Sequence, residues 1–172
     1  RRANIPRCCS HILFACIFLR HSGVLSTPVA QFCDLADFFC FVFAALSTVC
    51  IRPPAVWTDK AIESIKEERE KDAEFEWTPY WEYGCYIHVE DLARATLCAL
   101  TCPDPGHIPL LVVADDVSSA HLTSRELVQK LLPDIEWRGG DQYEADPYKG
   151  LVDNSRAKEV LGWAPEFHWR SA

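Results

Sequence analysis

The sequence predicts an α/β fold, in which strands and helices alternate along the chain. From residue 48 onward, short runs rich in β-branched residues alternate with segments whose apolar residues recur at helical spacing. Of the 172 residues, 49% are hydrophobic and 24% are charged. This composition can bury one core of ordinary domain size, so we expect one domain or part of one.

The composition of the chain changes near residue 48. Residues 1–52 carry five basic and two acidic side chains, whereas residues 53–172 carry 12 basic and 23 acidic ones. Six of the nine cysteines lie in the first 50 residues, and the chain contains no methionine. We therefore interpret residues 1–47 as an atypical, Cys-rich apolar segment of doubtful origin. Because a complete reading frame begins with methionine, we also expect the N-terminus of the sequence to be truncated. Residues 48–172 are interpreted as the C-terminal part of a domain.

The same composition disfavours several kinds of partner. Nucleic acids need a basic surface, and residues 53–172 are acidic, so we predict no nucleic-acid binding. The apolar runs at 12–19 and 38–46 are shorter than the ~20 residues that span a bilayer, which makes a membrane protein unlikely and favours the cytoplasm. No two cysteines have C-x-x-C spacing, so we predict no metal site, and we expect Cys85, Cys98 and Cys102 to be reduced thiols.

The first predicted elements are a strand and a helix. The run Thr48–Arg52 predicts a buried strand that Pro53 and Pro54 end. Thr58 or Asp59 then predicts the start of a helix to about residue 73, with residues 61, 62 and 65 facing inward. The aromatic stretch 75–86 follows, and it either lines a substrate pocket or covers the core.

The middle of the chain predicts a strand, a helix and a second strand. Residues 86–89 predict a strand, and Glu90 and Asp91 place negative charge in the first turn of the next helix. Its apolar stripe contains residues 92, 95, 99 and 100. Residues 110–114 predict another buried strand, and we interpret the adjacent Asp115 and Asp116 as solvated loop charges.

The last third predicts two further helices. Thr123 and Glu126 form a capping box that places a helix start at Ser124. Residues 149–152 predict a short strand, Asp153 caps a helix over 154–161, and Gly162 ends that helix in a left-handed conformation.

Three pieces of sequence, in this order, resemble a known protein family. Residues 49–56 read VCIRPPAV, residues 86–95 read YIHVEDLARA, and residues 152–165 read VDNSRAKEVLGWAP. Together they resemble the second half of the extended short-chain dehydrogenases/reductases of the NAD-dependent epimerase/dehydratase group. The resemblance implies an incomplete Rossmann-like fold, made of the C-terminal sheet strands and a small substrate-binding lobe.

The resemblance also implies ligands and site residues. The complete family member binds NAD or NADP, and Pro53 and Pro54 would lie nearest to the nicotinamide end of that cofactor. A small-molecule substrate would contact Tyr83, Tyr86 and Arg138. The strands at 86–89 and 149–152 would be neighbours in the substrate lobe, and the strand at 110–114 would return to the main sheet.

Several signature residues of the resemblance have a structural interpretation. Asp91, Asp153 and Trp163 would serve capping and packing. His88 would be a hydrogen-bonded core histidine and not a catalytic base.

The chain departs from the family pattern where the chemistry takes place. A pyrophosphate-binding turn requires two glycines three positions apart, and none of the seven glycines of the chain form such a pair. No tyrosine is followed four residues later by lysine, the pair that would carry the family's proton transfer. An arginine pair that clamps a sugar-nucleotide diphosphate is also missing. We therefore predict no catalytic residues and no catalysis by this chain alone.

Three hypotheses follow. The leading one is a fragment of an NAD(P)-dependent oxidoreductase, epimerase or dehydratase that lacks the cofactor-binding half and keeps the substrate side. The second is a non-catalytic module that binds a small molecule or a second subunit, for example as a homodimer. The third is a small membrane-associated protein anchored by residues 1–47.

Overall fold

The computed structural model describes residues 48–72, 75, 83–103 and 106–171, together with the backbone of residues 14–17. Almost all of residues 1–47 lie outside these ranges, so the interpretation of this segment stays a prediction. The aromatic stretch 75–86 is described only at residues 75 and 83–86.

A parallel sheet of three strands forms the centre of the described fold. Its strands are β1 (Phe14–Ile17), β2 (Thr48–Arg52) and β5 (His107–Leu111), in the order β1-β2-β5. β2 pairs in parallel with both neighbours, and Val49 and Ile51 are fully buried, as expected for the middle strand of a covered parallel sheet. The predicted strand at 48–52 is confirmed.

A second sheet holds two short parallel strands, β3 (Ala55–Trp57) and β4 (Tyr86–His88). β3 follows β2 after only Pro53 and Pro54. The prolines end the first sheet because proline cannot donate a ladder hydrogen bond, and the chain then starts the second sheet.

Five α-helices accompany the strands in the described ranges. They are α1 (Asp59–Lys71), α2 (Val89–Thr101), α3 (Ser124–Leu131), α4 (Gln142–Ala145) and α5 (Ser155–Leu161), with a final 3-10 turn at Trp169–Ser171. Alternating strands and helices with parallel pairing confirm the predicted α/β class and fit part of a Rossmann-like fold. No helix in the described ranges has the length and apolar character needed to cross a bilayer.

Two buried clusters form the core. The first lies on one face of the main sheet, where Val49 is paired with Ile108 and Ile51 with Leu110, and α2 and α5 pack against this face. The second lies around the β3-β4 sheet and contains Trp57, Ile62, Ile65, Tyr86 and Ala114, with Phe167 and Trp169 against it.

The helix signals were mostly correct. The apolar stripe predicted on α2 is buried at residues 92, 95 and 99, whereas the prediction for Leu100 was wrong, since that side chain is 49% exposed. Thr58 accepts the Ala61 N–H at the start of α1, and the helix ends at Lys71, two residues before the predicted end. The capping box of Thr123 and Glu126 is present, and α3 starts at Ser124 as predicted. Gly162 ends α5 with φ of 59°, which confirms the predicted left-handed stop.

Two predicted strands have different bounds in the structure. β4 ends at His88, because Val89 already belongs to α2, whose acidic first turn favours helix. The strand predicted at 110–114 lies at His107–Leu111, in register with the five residues of β2. Its predicted end leaves the main sheet, and Ala114 donates its N–H to the Tyr86 carbonyl over 2.8 Å.

The predicted strand at 149–152 is also wrong. Only Lys149 makes a ladder contact, a single antiparallel bridge to Asp116, so this segment is not a neighbour of β4. The neighbour of β4 in the described sheet is β3, whose three residues were too few to recognise as a strand.

Candidate functional site

Pro53 and Pro54 lie at the carboxyl edge of the main sheet. The three parallel strands end at Ile17, Arg52 and Leu111, and the two prolines follow the middle one. Both prolines are half-buried. Ligands of open parallel α/β sheets bind at this edge, so the position agrees with the implied cofactor contact, which itself stays a prediction.

Tyr86 is buried within the second cluster. Its hydroxyl donates to Asp116 Oδ1 over 2.6 Å and accepts the Trp169 N–H over 3.2 Å, and its ring stacks on Trp57 at 4.5 Å. Burial raises the pKa of the phenol far above its ordinary value, and the Asp116 carboxylate raises this pKa further. Tyr86 has no exposed surface, so contact with a substrate would require Trp169 or its neighbours to move.

Tyr83 lies at the surface, unlike Tyr86. Its side chain is 47% exposed, and its φ of 53° is in the left-handed region that a bulky residue seldom adopts. Gly84 follows with φ of 72°, and a Cβ there would come within 2.8 Å of Leu127 Cδ2. The turn therefore lies close against α3 and presents the Tyr83 ring outward.

Arg138 is exposed and lines an open groove of about 360 Å³. Trp137 and Tyr143 form aromatic walls, with their rings in edge contact at 5.0 Å. The described contacts do not join Arg138 to the prolines or to Tyr86. The five residues predicted from sequence therefore do not form one cluster, and substrate binding by Tyr83, Tyr86 and Arg138 stays a prediction.

His88 is a buried core histidine, as interpreted from the sequence. Its Nε2 lies 3.2 Å from Asp59 Oδ1, and its ring stacks on Phe167 at 4.2 Å. Only 3% of its surface is exposed. This environment fixes the imidazole between α1 and residues 166–171, called the C-terminal segment from here on.

Asp116 belongs to a partly buried ion pair, so its interpretation as a solvated loop charge was wrong. Arg170 Nη1 lies 2.9 Å from Asp116 Oδ2, and the guanidinium stacks over the rings of Tyr148 and Trp169. Burial raises the pKa of Asp116, while the hydrogen bond from Tyr86 and the charge of Arg170 act against that rise. Arg170 lies 54 residues along the chain from Asp116, and no local sequence signal links them.

Asp115 takes part in a different group of polar side chains. Its carboxylate accepts hydrogen bonds from Lys158 Nζ over 2.6 and 2.8 Å and from Asn154 Nδ2 over 2.8 Å. Asn154 Nδ2 also donates to the Val113 carbonyl over 2.9 Å. Asn154 is the N-cap of α5 and Lys158 lies one turn further along the helix, so both side chains reach Asp115. This four-residue spacing could have been noticed in the sequence.

This polar group borders a cavity of about 320 Å³. The cavity lies between Asp115, which follows β5 by four residues, the α4 region and the segment leading into α5. Its lining residues are Asp115, Gln142, Tyr143, Lys149, Gly150, Leu151, Val152, Asp153, Asn154 and Lys158. Sequence analysis did not identify it, because its walls come from segments 115, 142–143 and 149–158, which only the fold brings together.

The described residues offer neither a metal site nor a pyrophosphate site. No group of three or more His, Cys, Asp or Glu side chains in the described ranges could hold a metal ion. Among the described glycines, those with positive φ are residues 84, 106 and 162. Gly84 faces Leu127, Gly162 ends a helix, and Gly106 directly precedes β5. None opens a helix after a strand, so these residues do not fit the pyrophosphate of a dinucleotide.

Comparison with known proteins gave structural likenesses only. No protein-family model and no curated protein matches the sequence. The UDP-N-acetylglucosamine 4-epimerase from Bacillus cereus is 12% identical with a TM-score of 0.46, over 83% of this chain and 45% of that chain. The UDP-glucose 4-epimerase from Thermotoga maritima, solved with UDP-glucose, is 19% identical with a TM-score of 0.46, over 81% and 47%.

A third similar structure is the ADP-L-glycero-D-manno-heptose-6-epimerase from Helicobacter pylori. It is 13% identical with a TM-score of 0.45, over 92% of this chain and 56% of that chain. All three proteins are epimerases, and the chain spans about half the length of each.

Proposed function

We propose that this chain is the substrate-side part of an NAD(P)-dependent oxidoreductase, epimerase or dehydratase and performs no catalysis alone. One observation carries the proposal: the three pieces of sequence that resemble the family converge on one buried cluster. Val49 and Ile51 come from the first piece, Ile87, Leu92 and Ala95 from the second, and Ala157, Leu161 and Trp163 from the third.

A second contact links the same pieces. The Asp91 carboxylate is buried and accepts the N–H groups of Glu166 and Phe167 over 3.0 to 3.2 Å. Asp91 belongs to the second piece, and the two amides directly follow the third. Pieces that recur together in a family for a structural reason are expected to make such contacts, which supports the resemblance independently of the sequence match.

The proposal assigns cofactor contact and substrate contact to different residues. Pro53 and Pro54 would lie beside the nicotinamide end of the cofactor, which supplies hydride chemistry in a complete protein. Tyr83 and Arg138 would contact a small-molecule substrate from the surface, and Tyr86 would contact it once the residues that cover its ring have moved. The described residues hold no donor set for the pyrophosphate, so we assign them no reaction step. A cytoplasmic location belongs to the same proposal.

Two measurements test this proposal. In a fluorescence titration of the purified chain with NADH and NADPH, we expect no saturable change and no hydride transfer to carbonyl substrates. Sequencing of the transcript upstream of the Arg1 codon is expected to reveal an in-frame Gly-rich turn and a Tyr-x-x-x-Lys. Turnover by the chain alone, or a transcript without these motifs, would rule the proposal out.

The alternative is a non-catalytic module that binds a small molecule or a second subunit. The polar cavity favours the first form, and an exposed apolar stripe on α2 favours the second, since Val89, Leu97 and Leu100 are 39%, 63% and 49% exposed. Saturable binding of a small molecule without NAD(P), or a homodimer in sedimentation equilibrium, would support this alternative. The transcript result separates the two proposals.

A further inference from the structure

The cavity beside Asp115 has walls that are fixed by hydrogen bonds. Gly150 donates its N–H to the Asp115 carbonyl over 2.6 Å, Ser124 Oγ donates to the Lys149 carbonyl over 2.5 Å, and the Tyr143 hydroxyl donates to the Gly150 carbonyl over 3.2 Å. Asn154 is 8% exposed and is bonded to Val113 behind it. A cavity with such walls needs little ordering when a ligand enters, which favours binding.

The size of the cavity suits a small molecule. Its volume of about 320 Å³ lies at the lower end of the range of ligand pockets, roughly 300 to 1,000 Å³. Neither Pro53 nor Pro54, at the carboxyl edge of the main sheet, lines this cavity. It also differs from the groove of Arg138, although Gln142 and Tyr143 border both.

The charges of the lining cancel. Lys158 is paired with Asp115, and the remaining Lys149 is balanced by Asp153, whose carboxylate accepts the Ser155 N–H over 2.9 Å. The lining therefore has no net charge, and it favours neither an anion nor a cation. In addition, the side-chain amide of Gln142 and the ammonium of Lys149 have no hydrogen-bond partner in the described part of the chain, so they can bind a ligand.

We propose that this cavity binds a small, uncharged molecule that carries several hydroxyl groups. Hydroxyls both donate and accept, so they can use the Asp115 and Asp153 carboxylates as acceptors and the Lys149 and Gln142 side chains as donors. The Tyr143 ring adds an apolar wall. The inference rests on the geometry of the cavity and does not depend on the proposed function, since it needs neither a cofactor nor a reaction.

The test is a titration of the full ¹⁵N-labelled chain followed by NMR. D-glucose, D-mannitol and myo-inositol serve as neutral probes, and inorganic phosphate and glycine serve as charged ones. We expect at least one neutral probe to give saturable shifts of the amides at 115, 142–143 and 149–158. The proposal is overturned if no neutral probe shifts these amides, or if phosphate or glycine shifts them at lower concentration than every neutral probe.

A matched pair of variants tests the contact with Gln142, and shifts of the amides at 149–154, which border the cavity and not the Arg138 groove, locate the ligand. Gln142 and Gln129 are both exposed helix residues, and only Gln142 lines the cavity. Gln142→Ala is expected to weaken binding about five-fold, the effect of one neutral hydrogen bond, while Gln129→Ala leaves it unchanged. Equal affinities of the two variants would place the ligand elsewhere and refute the proposal. Because neither side chain is buried, both variants are expected to fold.

Discussion

The Tyr86 phenol connects three segments that are far apart in sequence. Its hydroxyl donates to Asp116 and accepts from Trp169, and both bonds lie in a region with little water. A buried polar group that loses its partner keeps its full desolvation cost. This one oxygen therefore stabilises the loop at Asp116 and the C-terminal segment together.

We expect Tyr86→Phe to lower the free energy of unfolding by about 1 to 3 kcal/mol, because the Asp116 oxygen and the Trp169 amide lose a partner. Urea unfolding followed by tryptophan fluorescence measures the change. Tyr83→Phe is the control, since that ring is 47% exposed and its hydroxyl bonds to none of the described residues. Equal stabilities of the two variants would contradict the assigned hydrogen bonds.

Gly150 allows two segments to approach more closely than a side chain would permit. A Cβ at this position would lie 3.2 and 3.3 Å from the carbonyl oxygens of Asp115 and Ala114, which are backbone atoms with little freedom. We expect Gly150→Ala to destabilise the protein by about 1 to 3 kcal/mol, in the range of other overpacking substitutions. Gly140→Ala, with open space around its Cβ, should cost far less in the same thermal unfolding experiment.

Glu126 makes the stability of α3 depend on pH. The N–H and hydroxyl of Thr123 donate to its carboxylate and hold its pKa below the ordinary value of 4.5. The folded state therefore prefers the ionised form, so this contribution is present above pH 4.5 and is lost as the pH falls through the lowered pKa.

We expect Glu126→Gln to be less stable than the parent near neutral pH, by less than about 1 kcal/mol because the group is exposed. The difference should shrink as the pH falls below 4.5. Chemical unfolding at a series of pH values measures it, with Glu136→Gln as an exposed control outside the capping box. A difference that stays constant across the acid range would argue against the capping carboxylate.

At the scale of elements, α2 and the C-terminal segment are joined by Asp91. Its carboxylate accepts two backbone N–H groups from the segment and forms an ion pair with Arg94, which also pairs with Glu166. The helix and the segment are therefore held by several bonds to one buried side chain, and they should lose their attachment together.

Asp91→Ala is expected to cost about 2 kcal/mol or more, because two amides and a guanidinium lose a charged acceptor. Hydrogen exchange should rise first at Glu166 and Phe167. Glu90→Ala is the matched control: it lies in the same helical turn, is exposed, and should cost less than about 1 kcal/mol. Unchanged protection at the two amides in Asp91→Ala would exclude this attachment.

The elements were predictable where the signal is local. The capping box at Thr123, the stop at Gly162 and the strand ended by Pro53 each depend on neighbouring residues, and the structure confirms all three. Strand limits were less predictable, because β5 is set by its register with β2 and not by its own sequence. The segment at 149–152 lines the cavity and is not a strand, because its only ladder contact in the described residues is the single bridge between Lys149 and Asp116.

The whole molecule is acidic, and this sets its expected partners. Residues 53–172 carry 23 acidic and 12 basic side chains, and this negative net charge disfavours contact with phosphate groups. We expect no binding to duplex DNA in fluorescence anisotropy at low salt. Binding that weakens steeply as salt is added would contradict the prediction, because that dependence is the signature of phosphate contacts.

The candidate site was less predictable than the fold. Pro53 and Pro54 follow the middle strand of the main sheet, and their cofactor contact stays a prediction. Arg138 lies in a separate groove, and the Asp115 group was not recognised from the sequence. Asp115 and Asp116 are adjacent in sequence, yet one pairs with Lys158 and the other with Arg170. Pairings between residues 43 and 54 positions apart depend on the complete fold, which no local pattern encodes.

The C-terminal segment also affects the order in which the protein can fold during synthesis. Residues 166–170 complete the bonding of Asp91, Tyr86 and Asp116, and the ribosome makes these residues long after the strands and helix that they stabilise. Until they leave the exit tunnel, the emerging chain carries a carboxylate and a phenol with missing partners in its interior. A nascent chain whose residue 166 is still inside the tunnel should therefore be more sensitive to protease than one whose residue 171 has emerged.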